Sequence, residues 1–263
     1  MTDFRSIVSG SSGNCTMFSD GNTKFLIDCG ISGKKITAYL NDMGINPSDL
    51  DGILVTHEHI DHTSGVGILS RKYDIPVIAS AGTWKDMQIG NITDSNKVVF
   101  DKLTPIKLGN ITVTPFDIPH DAAQPTGYHI EIDGKRYALA TDMGFVSDSV
   151  VDILSGCAAT IIEANYDSGM LINGPYPPHL KKRIGGLKGH LDNKDTGILA
   201  TKLAKSGTKH IMLGHLSNEN NSPEIAFAEV ARELEYSGII VGKDILLSVA
   251  PRYEKSENLC KNI

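Results

Sequence analysis

The sequence predicts a mixed α/β fold: two β-sheets packed face to face with helices outside, a four-layer αββα sandwich. Three observations lead there. Strand-like runs come in two blocks, each followed by helical stretches, so the order reads meander, helices, meander, helices. Asp20-Gly21 and Asp133-Gly134 separate pairs of strand-like runs, and Asp-Gly is the dipeptide that tight hairpins favour because its residues tolerate positive φ. The helical stretches carry their own start and stop residues.

Residues 4–8, 15–19 and 24–28 form the first block of strands. Residues 32–43 read as a helix, capped by Ser32 and closed by Gly44. Gly52-Ile53-Leu54-Val55 is an apolar strand, and residues 63–72 are helix-compatible. A strand at 76–79 and a short helix at 82–88 follow. The second block holds strands at 97–100, 111–116, 128–132 and 135–140. Residues 150–154 are helical and 160–163 form a buried strand. A helix runs over 193–205, with Asp192 as its cap and Gly207 ending it, and a strand over 210–213 follows. Ser222-Pro223-Glu224 opens a helix to Tyr236: Ser as cap, Pro in the first turn, acid near the positive end of the dipole. Residues 245–249 are the last strand. We expect one domain over 1–263, with 251–263 as a polar, frayed tail. No internal repeat or low-complexity segment interrupts it.

The chain has 263 residues, enough for an ample core, and is 40% apolar and 21% charged, an ordinary balance for a globular protein. No run approaches eighteen apolar residues, so no membrane span is expected. The N-terminus, from Met1 to Val8, lacks a basic stretch followed by a long apolar one. We therefore expect no secretory signal and a cytoplasmic protein. Cys15, Cys29, Cys157 and Cys260 are scattered, form no C-x-x-C pair and suit reduced thiols. Cys29, beside Asp28, reads as a small buried hydrophobe rather than a ligand. The net charge of −6 argues against broad, non-specific coating of nucleic acid but leaves room for it at one focused site.

The chemistry concentrates in His57-Glu58-His59-Ile60-Asp61-His62, where three histidines and an aspartate share six residues. Imidazole is the commonest biological ligand for zinc-like ions, and a carboxylate adds a hard anionic oxygen. The run follows the strand at 52–55, so these side chains are expected on a loop at a strand's C-terminal end, where α/β folds place chemistry. Asp28, His120, Asp142 and His215 each follow another strand-like run. One polar residue after a strand says little; four such cases beside H-x-H-x-D-H form a constellation. The Ser9-Gly10-Ser11-Ser12-Gly13-Asn14 segment lacks the lysine and the spacing of a P-loop and reads as a tight turn approaching the site and orienting its ligands.

In order and spacing these elements resemble the metallo-β-lactamase superfamily over essentially the whole chain. The resemblance implies the αββα fold and two divalent cations, Zn or Mn. His57, His59 and His120 would hold the first; Asp61, His62 and His215 the second; Asp142 would bridge them. The cations would share a hydroxide that attacks the substrate. Asp28 would accept a hydrogen bond from a ligand histidine and fix its tautomer. Members that act as β-lactamases commonly carry Cys where Asp142 stands, and redox members replace the motif's second histidine with Glu, which His59 argues against. A carboxylate at Asp142 suits phosphoesters and tolerates Mn²⁺ as well as Zn²⁺.

A finer likeness rests on Gly10-Ser11-Ser12-Gly13-Asn14, Pro119-His120-Asp121-Ala122, Leu187-Lys188-Gly189-His190-Leu191-Asp192-Asn193 and the stretch from Gly214 to Glu224. These look like the YycJ/WalJ branch, which is associated with DNA exonuclease activity. That branch usually has Ser where Asp192 stands; as a helix cap the aspartate would be harmless, whereas aimed inward it would repel phosphate. Four of the 25 Lys and Arg fall within eight residues of this acidic chain: Lys181, Lys182, Arg183 and Lys188. With His190 they are the expected contacts for substrate phosphate, against the plainer reading of a solvated helix face. Asp61 and His190 are the expected catalytic residues, His190 as general acid or as a ligand of the scissile phosphate. Tyr166 faces either the substrate or the packing, and Trp84 alone makes no stacking platform.

The expected function is therefore a dinuclear-metal phosphodiesterase, a DNA exonuclease. Two other readings stay open: a thioester or lactone hydrolase of the same fold, and a non-catalytic metal-binding regulator. An unbroken ligand set counts against the regulator.

Overall fold

The computed structural model describes residues 2–101, 104–261 and 263. Met1 of the N-terminal reading and Asn262 of the expected tail lie outside the described residues. The chain packs as two compact units. Of the described residues, one unit comprises 2–101, 104–115, 122–126 and 251–261; the other comprises 116–121, 127–250 and 263.

The first sheet follows chain order: β1 (Asp3–Val8), β2 (Cys15–Ser19), β3 (Lys24–Ile27), β4 (Gly52–Leu54), β5 (Val77–Ser80) and β6 (Lys97–Phe100). β1 to β3 pair antiparallel and β3 to β6 parallel. The parallel pairs require crossovers, and α1 (Gly33–Asp42), α2 (Ile60–Thr63), α3 (Val66–Tyr73) and α4 (Ala81–Asp86) lie in them. Met17, Leu26, Ile53 and Val77 from the strands are buried with Ile36, Leu40, Val66 and Leu69 from the helices in one cluster. Val77 and Ile53 sit in register, so their common face is apolar throughout.

The second sheet runs in the order β13-β12-β11-β10-β9-β8-β7. Its strands are β7 (Ile106–Leu108), β8 (Ile111–Asp117), β9 (Thr126–Ile132), β10 (Lys135–Ala140), β11 (Ala159–Glu163), β12 (His210–Gly214) and β13 (Leu246–Val249). β9 and β10 form the hairpin closed by Asp133 and Gly134, at φ 49° and 71°. β10 to β13 are parallel. α5 (Asp148–Leu154), α6 (Ser168–Asn173), α7 (Pro178–Ile184), α8 (Asn193–Lys205) and α9 (Pro223–Tyr236) fill the connections. Leu199 and Leu203 of α8 and Val230 and Leu234 of α9 pack with Ala138, Ile162 and Leu213 from three adjacent strands. The Asp192 carboxylate caps α8 through the Asp195 amide at 2.8 Å, and Ser222 caps α9 through Ile225 at 3.2 Å.

The mixed α/β class with two sheets and helices stands. Four local expectations need correction. The helix expected over 63–72 is two: α2 starts inside the histidine run, and Ser64-Gly65 separates it from α3. A Cβ on Gly65 would sit 2.4 Å from the Ile31 carbonyl, and its amide donates to the Cys29 carbonyl at 2.7 Å, so a backbone contact breaks the helix. Asp61 and His62 therefore ride on a helical turn, and only His57 and His59 occupy the loop. Ser32 precedes α1 but makes no capping bond. α6 and β7 were not expected at all. The stretch after Pro251 is not frayed: Leu259 and Ser256 are buried, and their amides donate to the Phe4 and Ser6 carbonyls along β1, at 2.9 and 2.8 Å. Its polar composition conceals one leucine that seats it.

Candidate functional site

Two clusters hold the ligand-type residues, one in each unit. In the first, β3 ends at Ile27 and the chain turns sharply at Asp28, whose φ of 61° is left-handed. That conformation costs energy for any residue with a Cβ, least for Asn and Asp, and such strain gathers at functional sites. It aims the Asp28 carboxylate at the loop after β4. Oδ1 accepts the Thr56 amide at 2.8 Å; Oδ2 accepts the Thr56 hydroxyl and His62 Nδ1, both at 2.8 Å. The Thr56 hydroxyl gives its proton to Asp28, so it accepts from His57 Nδ1 at 3.0 Å. Both buried histidines are thereby fixed with the proton on Nδ1 and the lone pair on Nε2. His57 Nε2 lies 3.0 Å from His59 Nδ1, and His62 Nε2 lies 3.4 Å from Asp61 Oδ2.

The glycine- and serine-rich turn reaches this cluster. Asn14 donates its amide to the Asp61 carbonyl at 2.8 Å and accepts from Gly30 at 2.7 Å. Its Nδ2 lies 3.2 Å from His62 Nε2 and 3.4 Å from Asp61 Oδ2. A Cβ at Gly30 would lie 1.6 Å from the Asp61 carbonyl oxygen, so only glycine permits the approach. Cys29 is fully buried, and burial, then Cys15, pushes its thiol well up, as a structural residue requires.

In the second unit, His120, Asp142 and His215 follow β8, β10 and β12, and Glu163 ends β11. Asp142 and His215 are also left-handed, at φ 63° and 55°. His120 Nδ1 donates to the Gly189 carbonyl at 3.1 Å, which leaves Nε2 as the acceptor. Burial, outweighing the pull of Asp142, holds His120 below the ordinary imidazole range and favours the neutral form a metal ligand needs. Asp142 Oδ1 lies 3.8 Å from His120 Nε2, 3.8 Å from His190 Nδ1 and 3.5 Å from His215 Nδ1.

Sequence reasoning missed Glu163. It is fully buried, and its Oε1 accepts from His190 Nδ1 at 2.8 Å and His215 Nδ1 at 2.9 Å. Its Oε2 accepts the Met143 and Leu191 amides at 2.7 and 3.2 Å. Burial alone would raise its pKa; the His190 charge and the hydrogen bonds from both histidines overcome that and hold the carboxyl well below the usual range. One signal was present: a glutamate closing an otherwise apolar buried strand must find partners. Asn165 was missed too; its Nδ2 donates to the His215 carbonyl at 2.7 Å. Ligand atoms of Asp142, Glu163, His190 and His215 all lie within 4.8 Å of one another; with both Nδ1 protons given to Glu163, the donors that suit a divalent cation are the Asp142 carboxylate and the histidine Nε2 atoms.

The basic strip is α7 and the turn after it. None of α7 is buried, as the solvated-face reading expects. Lys181 Nζ donates to the Ile172 carbonyl at 2.7 Å, and Arg183 pairs with Asp121, next to His120, at 2.6 Å. Lys182 and Lys188 are exposed. Tyr166 is buried, with its phenol pushed up to about 12 by burial and by Asp192. Trp84 donates its indole N–H to Val98 at 2.9 Å. The Asp192 carboxylate is occupied with the Asp195 amide and, at 2.7 Å, the Ser168 hydroxyl.

The β-lactamase superfamily domain matches residues 23–215. The chain is 40% identical over 242 residues to "Exodeoxyribonuclease YycJ" of Bacillus anthracis, covering 91% of this chain and 92% of that one. The chain belongs to the metallo-β-lactamase superfamily. "Exodeoxyribonuclease WalJ" of Streptococcus pneumoniae is likewise 40% identical, over 90% of each chain, so this superfamily member groups with the YycJ/WalJ branch. The metallo-β-lactamase fold protein YhfI from Bacillus subtilis superposes with a TM-score of 0.74 over 98% of this chain and 99% of its own, at 17% identity. The fold is thus the metallo-β-lactamase fold, and the chain is a metal-dependent hydrolase. No helix among the described residues is long and apolar enough to cross a membrane.

Proposed function

We propose that this superfamily member is a dinuclear-metal phosphodiesterase that digests DNA from an end, in the cytoplasm. The observation that carries the reading is the 40% identity, over nine-tenths of both chains, to relatives named exodeoxyribonucleases. In this reading His57, His59 and His120 would hold one cation, Asp61, His62 and His215 would hold a second, and Asp142 would supply a carboxylate to the pair. Carboxylate and imidazole donors suit Zn²⁺ or Mn²⁺. When bound, such cations polarise a phosphoryl group and lower the pKa of water toward about 7.

The chain's own residues orient and exchange protons around that chemistry. Asp28, Thr56 and the Gly189 carbonyl set the tautomers of His62, His57 and His120. His190, anchored through Nδ1 to Glu163 and still partly exposed, offers Nε2 to a phosphoryl oxygen or to the leaving oxygen as a proton donor. Lys181, Lys182, Arg183 and Lys188 provide positive charge for a polyanion's backbone. Purified chain loaded with Zn²⁺ or Mn²⁺ is tested on 5′- and 3′-labelled DNA and RNA, a chromogenic phosphodiester and an acyl thioester. Progressive loss of mononucleotides from one DNA end supports the proposal. Turnover of the thioester alone overturns it.

A further inference from the structure

Gly186 to Gly189 is a tight turn, closed by the Gly189 amide donating to the Gly186 carbonyl at 2.8 Å. Its two central residues are Leu187 and Lys188. Turn tips ordinarily carry Gly, Pro, Asn, Asp or Ser. Here the tip carries a leucine that is 75% exposed.

This turn is fixed firmly to the reaction centre. The Gly189 carbonyl holds His120, and the His190 amide donates to Ile184 at 2.8 Å. On the other side the backbone of Leu187 and Lys188 lies against Gly144. A Cβ there would meet the Leu187 carbonyl at 2.3 Å and the Lys188 nitrogen at 2.5 Å. Gly144 in turn donates to the Pro119 carbonyl at 2.9 Å. Its neighbour Phe145, three residues past Asp142, is 42% exposed. Two large apolar side chains thus flank one rigid backbone contact beside His120, Asp142 and His190, with the exposed Lys182 and Lys188 close by in sequence.

Apolar groups held out in water on a rigid, cation-flanked rim suit a ligand that is apolar on its faces and anionic along its backbone. A nucleic acid strand has that chemistry: bases stack on side chains while phosphates follow the positive charge. Resting on the phosphodiesterase reading, we infer that Leu187 and Phe145 form a rim that packs against the base next to the scissile phosphate and positions the strand end at His190. They are positioning residues for a base of any sequence.

The test measures binding of the metal-free chain to a fluorescent single-stranded oligonucleotide, and KM and kcat of the loaded chain. Two oligonucleotides are compared, one ending in a normal nucleotide and one in an abasic residue. Phe145→Ala should weaken binding and raise KM for the normal end by about tenfold, the scale of one lost stacking contact, and Leu187→Ala, which removes only aliphatic contact with the base, should do the same by a smaller factor, with kcat little changed in either. On the abasic end the variants should match the parent, and Leu187→Met should restore the normal value. Equal losses on both ends, or none on either, overturn the rim while leaving the exonuclease reading intact. A parent chain that degrades neither oligonucleotide, yet turns over the chromogenic phosphodiester, overturns the exonuclease reading and the rim with it.

Discussion

Glu163 joins one carboxylate to two histidines and two backbone amides, with no surface exposed to water. Removing one member of such a network leaves the others buried without a partner. Glu163→Gln keeps the shape but loses the charge. Activity should fall about 10–100-fold, as for other groups that orient metal ligands, while the circular dichroism spectrum is unchanged. The same residue sets a pH dependence in the metal-free chain. Its folded-state pKa lies below the unfolded value of about 4.3, so its stabilisation is complete above that pH and is lost as pH falls toward the folded value. Denaturation midpoints measured from about pH 5 to about pH 3 should decline less steeply in Glu163→Gln than in the parent. The residues of H-x-H-x-D-H were legible because several rare side chains at close spacing seldom have another explanation. Glu163 was not, because sequence gives residue type but not depth, and Glu is among the commonest surface residues.

At the scale of elements, Asp192 separates a stabilising role from a catalytic one. Its carboxylate receives the Asp195 amide and the Ser168 hydroxyl, so the aspartate serves the start of α8. Asp192→Ala should cost about 1 kcal/mol in urea unfolding, whereas Asp192→Ser should retain both stability and activity. The caps of α8 and α9 were readable because capping depends on residues adjacent in sequence. The break between α2 and α3 was not, because it depends on Gly65 meeting carbonyls more than thirty residues away. The C-terminal stretch teaches the same lesson. Leu259 is fully buried beside β1, and Leu259→Ala should destabilise the chain by about 2–5 kcal/mol in denaturant titrations, an effect no frayed tail would show.

For the molecule as a whole, the fold class was legible from the alternation of strand blocks and helices, because periodicity and turn chemistry are local and repeat many times. That the ligands belong to one site is implied only by the family resemblance: residues from Asp28 to His215 span most of the chain, and no local rule joins them. The two clusters account for left-handed backbone at Asp28, Asp142 and His215, each just past a strand end, where a turn brings a polar side chain to bear. They also account for histidines whose Nδ1 atoms are engaged by Asp28, Thr56, Gly189 and Glu163. These features make sense if Nε2 lone pairs are reserved for cations. Metal content by plasma mass spectrometry tests that most directly, on purified chain saturated with Zn²⁺ or Mn²⁺ and then desalted. The account predicts two cations per chain in the parent and fewer than one in His57→Ala/His62→Ala/Asp142→Ala. A parent chain that retains no more metal than this triple variant, yet still hydrolyses its substrate, would contradict it.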